Sequence, residues 1–241
     1  MPRRRMPTVI LIFFIIDVAL VMAYSFNYLA DRPYRWVTRF LDLNRESNLP
    51  TWYSSMQWFC VAALLGLFAQ RNFSPAQRKS WFLMILPWLF LALSLDEVAL
   101  IHESLGHASD SLLPGASRTG TVFSQTGIWM FVIGMPFLAF FVGLILSIRT
   151  YFQRAPGALV KILLGMAIML GGAIGIEIFM NVVTPGSGYA ALQVLSEELG
   201  EMLGSTIVLW GSYELLDRHG FAVQLDRTKS DQSAPWRSNS G

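Results

Sequence analysis

Apolar runs of about 20 residues, long enough to cross a hydrocarbon core as a helix, recur along this chain and constrain its fold more than any other feature. They cover about 8–30, 52–70, 81–106, 125–148, 158–183 and 189–216. In lipid each backbone polar group must be satisfied within its own segment, so such runs predict helices. Composition agrees, since 54% of the 241 residues are hydrophobic and 14% charged, against roughly 25% charged in soluble domains. The expected fold class is all-α, a polytopic membrane helix bundle with about six transmembrane helices within residues 1–225. The tail 226–241 is polar, lacks periodicity and is expected to be disordered.

The segments between the runs carry turn chemistry: Asp31-Arg32-Pro33, Asn72-Phe73-Ser74-Pro75 and Pro185-Gly186-Ser187-Gly188. The last of these predicts a tight antiparallel pair of helices. Gly171 with Gly175, and Gly200 with Gly204, give each partner a small-residue spacing suited to close approach. Pro87 and Pro136 are candidate interruptions of the third and fourth spans. Residues 34–46 place Arg35, Thr38, Arg39, Asp42, Arg45 and Glu46 opposite Trp36, Phe40 and Leu43, the pattern of a helix lying in the membrane interface. Such a helix serves as a surface connector or as a lid over an outward-facing site.

Basic residues give an orientation. Arg3 to Arg5, then Arg71, Arg78 and Lys79, then Arg149, Arg154 and Lys161, and finally Arg218 all fall on one side of six spans. That side is expected to be cytoplasmic, with both termini there. The basic head and apolar body of the N-terminus resemble a signal peptide. Asp17 interrupts the apolar run and no small-residue cleavage site follows, so a retained first helix is expected. The net charge of +2 gives no reason to expect a nucleic-acid partner, and the single Cys60 allows no disulfide within the chain. The expected partners are the lipid bilayer and a lipid or other small-molecule substrate, with oligomeric state open.

The residues that need a function are carboxylates inside apolar runs: Asp17, Asp96, Glu97, Glu103, Glu177, Glu197, Glu198 and Glu201. A charge at mid-membrane costs about 2.5–3.5 kcal/mol on insertion scales, so such residues face a cavity or a partner. At about 100° per residue, Asp96, Glu103, His107 and Asp110 share one stripe, with Glu97 and Ser104 beside it and His102 pointing elsewhere unless the helix changes geometry. Glu197, Glu201 and Ser205 are spaced four apart with Glu198 alongside, and Glu177 and Asn181 are four apart on the preceding span. Asp17, Tyr24 and Tyr28 share a face of the first.

No Lys or Arg lies inside these spans away from their ends. The acids must therefore hold protons or meet a cation, as carboxylates and histidines of a helical bundle do around metal ions. Asp96, Glu103, His107, Glu177, Glu198 and Glu201 are the candidate ligands of a divalent ion such as Zn, Fe or Mn. Glu97 or Glu197 is a candidate general base for metal-bound water. Asp17, His102, Asn181 and Ser205 complete the polar site. No di-iron Glu-x-x-His spacing, desaturase histidine box, nucleophile elbow or phosphate loop is present. Three readings stay open: a metal-dependent enzyme acting on a membrane-borne substrate, a proton- or cation-coupled transporter, and a non-catalytic scaffold.

LDLNRESNLPTWYSS followed by SLDEVALIHE resembles a segment pair in uncharacterised bacterial multi-pass membrane proteins with no assigned activity. The resemblance covers the second and third spans. It implies a bacterial inner membrane and carries no mechanism.

Overall fold

The computed structural model describes residues 6–45, 47–118, 121, 128–176, 178–179 and 190–220. Among them there is no strand. The helices are α1 (Thr8–Leu29), α2 (Arg35–Leu41), α3 (Leu49–Arg71), α4 (Arg78–Ala99), α5 (Ile101–Ser109), α6 (Met135–Ile148), α7 (Pro156–Leu170) and α8 (Ala190–Arg218). Two π-helical segments adjoin them, Met130–Gly134 leading into α6 and Gly171–Ile176 continuing α7.

Five helices are long and apolar enough to cross a membrane: α1, α3, α4, Met130–Phe152 and Pro156–Ile176. The sixth expected span forms as α8, a helix of 29 residues. Glu197, Glu198, Glu201 and Glu214 make it too acidic to count with the others on composition. It earns its place by packing: α8 lies against α1, α3 and α7. Half of the α3 span is buried, against 22–28% of the other four, so α3 and α8 form the centre.

Local chemistry explains the boundaries. Asn48 caps α3 by accepting from the Thr51 N–H at 3.2 Å, with Pro50 in the first turn where no N–H is needed. Pro87 does not interrupt its helix, and α4 runs through it with the ring packed toward Gly66 of α3. Pro136 lies in the first turn of α6, directly after the π segment. The expected third span, in contrast, breaks. Leu100 adopts a left-handed conformation (φ 53°, ψ 41°), and α5 starts afresh at Ile101.

The antiparallel pairing of α7 with α8 is as expected and Gly200 and Gly204 lie in the seam, but Gly165 and Gly172 stand opposite them in place of Gly171 and Gly175. A Cβ on Gly165 would stand 2.5 Å from the Gly204 carbonyl oxygen, and one on Gly200 would stand 3.2 Å from Gly172 Cα. Gly171 and Gly175 face open space. Lys161 and Glu214 close the far end of the pair at 2.6 Å. Residues 185–188, which carry the hairpin motif, lie outside the described residues, as do Glu46, Arg3 to Arg5 and the tail 226–241.

Of the helix expected over residues 34–46, the stretch Arg35–Leu41 forms as α2, with Trp36 and Phe40 exposed. It is tied to α1 by a 3.0 Å hydrogen bond from Asn27 to Thr38. In the following turn, the buried Asp42 receives Arg45 at 3.4 Å and Arg32 at 4.0 Å. Two of the four arginines between residues 31 and 46, Arg32 and Arg45, are thus paired with an acid.

Candidate functional site: an acid-lined cavity beside a buried polar network

The acids fall into two groups. Asp17 is buried in the centre of the bundle and is not in the lining of the acid-lined cavity. Tyr53 and Gln57 donate to its Oδ1 at 2.8 and 2.9 Å, and Thr206 donates to Oδ2 at 2.8 Å. Gln57 also donates to Thr206 Oγ1 at 2.7 Å, and its carbonyl accepts from Ser205 at 2.7 Å. The network joins α1, α3 and α8 and uses the hydrogen-bonding capacity of each member. Ser205, expected in the same stripe as Glu201, belongs to this network. Tyr53, Gln57 and Thr206 were not singled out by sequence. The signal was available, since Tyr53 and Gln57 stand four apart within an apolar run.

The second group surrounds a cavity of about 460 Å³. Asp96 and Glu97 reach it from the end of α4, Glu103 and His107 from α5, and Glu197, Glu198 and Glu201 from α8. The rest of the lining is mostly apolar, with Trp58 from α3, Phe137 from α6, Met169 and Leu170 from α7, and Ile133 and Ile174 from the π segments. Glu103 and His107 are exposed at one rim, whereas Asp96, Glu97 and the three α8 glutamates are half-buried. All the expected ligands and bases within the described residues thus share one cavity. Glu177 and Asn181 lie outside the described residues.

His102 departs from its expected direction. Restarting the helix after Leu100 turns it toward α4, where its backbone N–H donates to Asp96 Oδ1 at 2.7 Å and Nδ1 lies 2.8 Å from Oδ2. Asp96 thereby satisfies an N-terminal amide of α5, and both of its oxygens are engaged. This hydrogen bond holds the His102 imidazolium above its ordinary pKa range, outweighing the opposing effect of burial. The short helix is also docked at Gly106, where a Cβ would lie 3.5 Å from the Trp129 side chain. Arg118, from the connection after α5, joins the lining and is bound to Asp110 at 2.7 Å.

Among the described residues, no three His, Cys, Asp or Glu side chains converge tightly enough to hold a metal ion. The carboxylates ring a volume and do not meet at a point. A family model for a domain of unknown function, DUF8692, matches residues 11–215. The chain belongs to this family. That match takes in both the buried network and the whole cavity lining of this DUF8692 member. No curated protein and no solved structure matches the chain.

Proposed function

We propose that the protein is a cation-binding membrane protein whose working site is the acid-lined cavity. The observation that carries this reading is the charge of the lining. Six carboxylates face one cavity, and among the described residues the only Lys or Arg in its lining is Arg118, so even two protonated histidines leave acids in excess. In a cavity walled by apolar side chains, that excess attracts positive charge more strongly than in water. The volume falls in the range of about 300–1,000 Å³ typical of small-molecule sites. Because the donors are dispersed, they suit a hydrated divalent ion or an organic cation better than a bare, tightly chelated metal. Glu103, His107, Glu198 and Glu201 are the donors proposed for such an ion, with Glu97 and Glu197 beside them.

The test is calorimetry on the protein in lipid nanodiscs, titrated with Zn²⁺, Fe²⁺, Mn²⁺ and tetramethylammonium. Saturable binding of one of these, weakened at least tenfold in an E197Q/E198Q/E201Q variant, is the expected result. Wild type that binds none of the four would sink the reading.

A cation-coupled carrier is the second reading, favoured by helix interruptions at the cavity wall. Leu100, Ile133, Gly134, Ala173 and Ile174 line the cavity, and all sit at the α4–α5 break or in the π segments. Carriers build their sites from discontinuous helices in this way. A cation gradient that drives no flux across proteoliposomes, over a broad set of solutes, would remove this reading. The basic flanks further support termini on the cytoplasmic face of a bacterial inner membrane, which reporter fusions at each end would check.

A further inference from the structure

A second, smaller cavity of about 280 Å³ lies between the two π segments, and its lining is wholly Met, Phe, Leu, Ile and Gly. Phe131, Met135, Leu138 and Ile178 in that lining are 37–56% exposed, and the first three belong to the helical segment Met130–Phe152, apolar enough to cross a membrane. Gly171 and Gly175 line it with open space where side chains would be. Gly134, Leu170 and Ile174 line both this groove and the acid-lined cavity. The partition between the two is thin: a Cβ on Gly134 would stand 3.2 Å from Ile174 Cδ1, so the Ile174 side chain lies directly over Gly134. Both sides of the partition are π-helical, a local geometry whose loosened hydrogen-bond register often marks functional positions.

We propose that this groove is a lateral entrance from the bilayer, and that the cation bound in the cavity is the ammonium head of a single-chain membrane amphiphile. The proposal rests on the cation-binding reading above and names its ligand. Three observations support it. Acid lining on one side of the partition and hydrocarbon lining on the other match the two ends of such a molecule. Trp58 and Trp129 are part of the cavity lining, and indole faces attract ammonium groups that have shed water. Finally, lipid tails are as apolar as the groove, so a chain lying there gives up little by leaving the bilayer. Attraction for the head drives binding, and the groove lets the tail remain in hydrocarbon while the head crosses past Ile174.

The experiment compares dodecyltrimethylammonium with tetramethylammonium, titrated into wild type, Gly175→Phe and Ile174→Trp in nanodiscs. Nonspecific partitioning is subtracted with empty discs. Wild type is expected to bind both, the dodecyl compound at least tenfold more tightly. Filling the groove with Gly175→Phe is expected to erase that preference, lowering the ratio of the two affinities about tenfold. Ile174→Trp, which enlarges the partition itself, provides an independent check with the same expected loss should Gly175→Phe fail to fold. A wild type that binds tetramethylammonium with no preference for the dodecyl compound overturns the entrance and leaves the cation reading standing. A preference that survives in either folded variant also overturns it. Wild type that binds neither ammonium, while binding one of the metal ions, overturns the amphiphile alone. Binding of nothing removes both.

Discussion

Thr206 donates its hydroxyl to Asp17 Oδ2 at 2.8 Å, joining the first helix to the last across 189 positions of sequence. Tyr53 and Gln57 complete the set of donors from α3. Replacing Asp17 with Ala removes the acceptor these donors share; Tyr53 keeps the Phe13 carbonyl and Gln57 keeps Thr206, but the Thr206 hydroxyl loses its acceptor, and an unsatisfied buried group costs about 1–3 kcal/mol. Asp17→Ala is therefore expected to lower stability by about 1–3 kcal/mol, read as a lowered melting temperature in detergent micelles. Asp17→Asn, which keeps one acceptor, is expected to lose less. Because Asp17 does not line the cavity, the folded fraction of either variant should bind cations as wild type does. Lost binding in well-folded Asp17→Asn would move Asp17 from the scaffold into the site.

The α7–α8 seam makes a sharper distinction. Gly204→Leu drives a side chain into the Gly165 carbonyl and Met169, and overpacking of this kind costs roughly 1–3 kcal/mol, more where backbone blocks the space. Gly171→Ala meets nothing within 4 Å and is expected to be neutral or slightly stabilising. Thermal unfolding of the two variants side by side checks the pairing. Equal losses would mean that both glycine pairs lie in the seam.

These two cases show what could be read in the sequence. Apolar length alone supplied the helices, because lipid leaves a backbone of that length little choice. Periodicity placed Asp96, Glu103 and His107 on one side, and they do share a cavity. It misplaced His102, because phase carries through a helix only while the helix continues, and no glycine or proline announces the left-handed turn at Leu100. The glycine seam was ambiguous for a related reason: Gly165, Gly171, Gly172 and Gly175 all fall in one span, and the π segment Gly171–Ile176 shifts the phase that would choose among them. Attention to acids alone hid Gln57, the residue that makes the largest number of contacts to Asp17 and its partners.

The α4–α5 corner has a pH signature. Its hydrogen bond to Asp96 raises the His102 pKa above the ordinary 6.5. The stabilisation is thus fully present below that ordinary value and fades as pH climbs through the raised one. His102 is 42% exposed, which limits the effect to under about 1 kcal/mol. The melting temperature of wild type should exceed that of His102→Gln at pH 5.5, with the gap narrowing toward pH 9. A gap that is constant across that range would mean the imidazole contributes without its charge.

Arg118 offers the last check, because removing it should strengthen a site that most substitutions would weaken. Among the described residues it is the only Lys or Arg in the cavity lining, and its side chain is bound to Asp110. Arg118→Gln removes a positive charge that opposes any incoming cation. At the separations possible across such a cavity, and with partial solvent screening, one unit charge is worth on the order of 1 kcal/mol, about fivefold in Kd. Cation affinity is therefore expected to rise about fivefold in Arg118→Gln at low salt, and the gain should shrink at high ionic strength as screening removes the field. The freed Asp110 adds a carboxylate close to His107, which lies 3.9 Å from it, and pushes in the same direction. Titrations at low and high salt measure both effects. Weaker binding in folded Arg118→Gln would indicate that the cavity's ligand carries an anionic group, with the guanidinium as its partner.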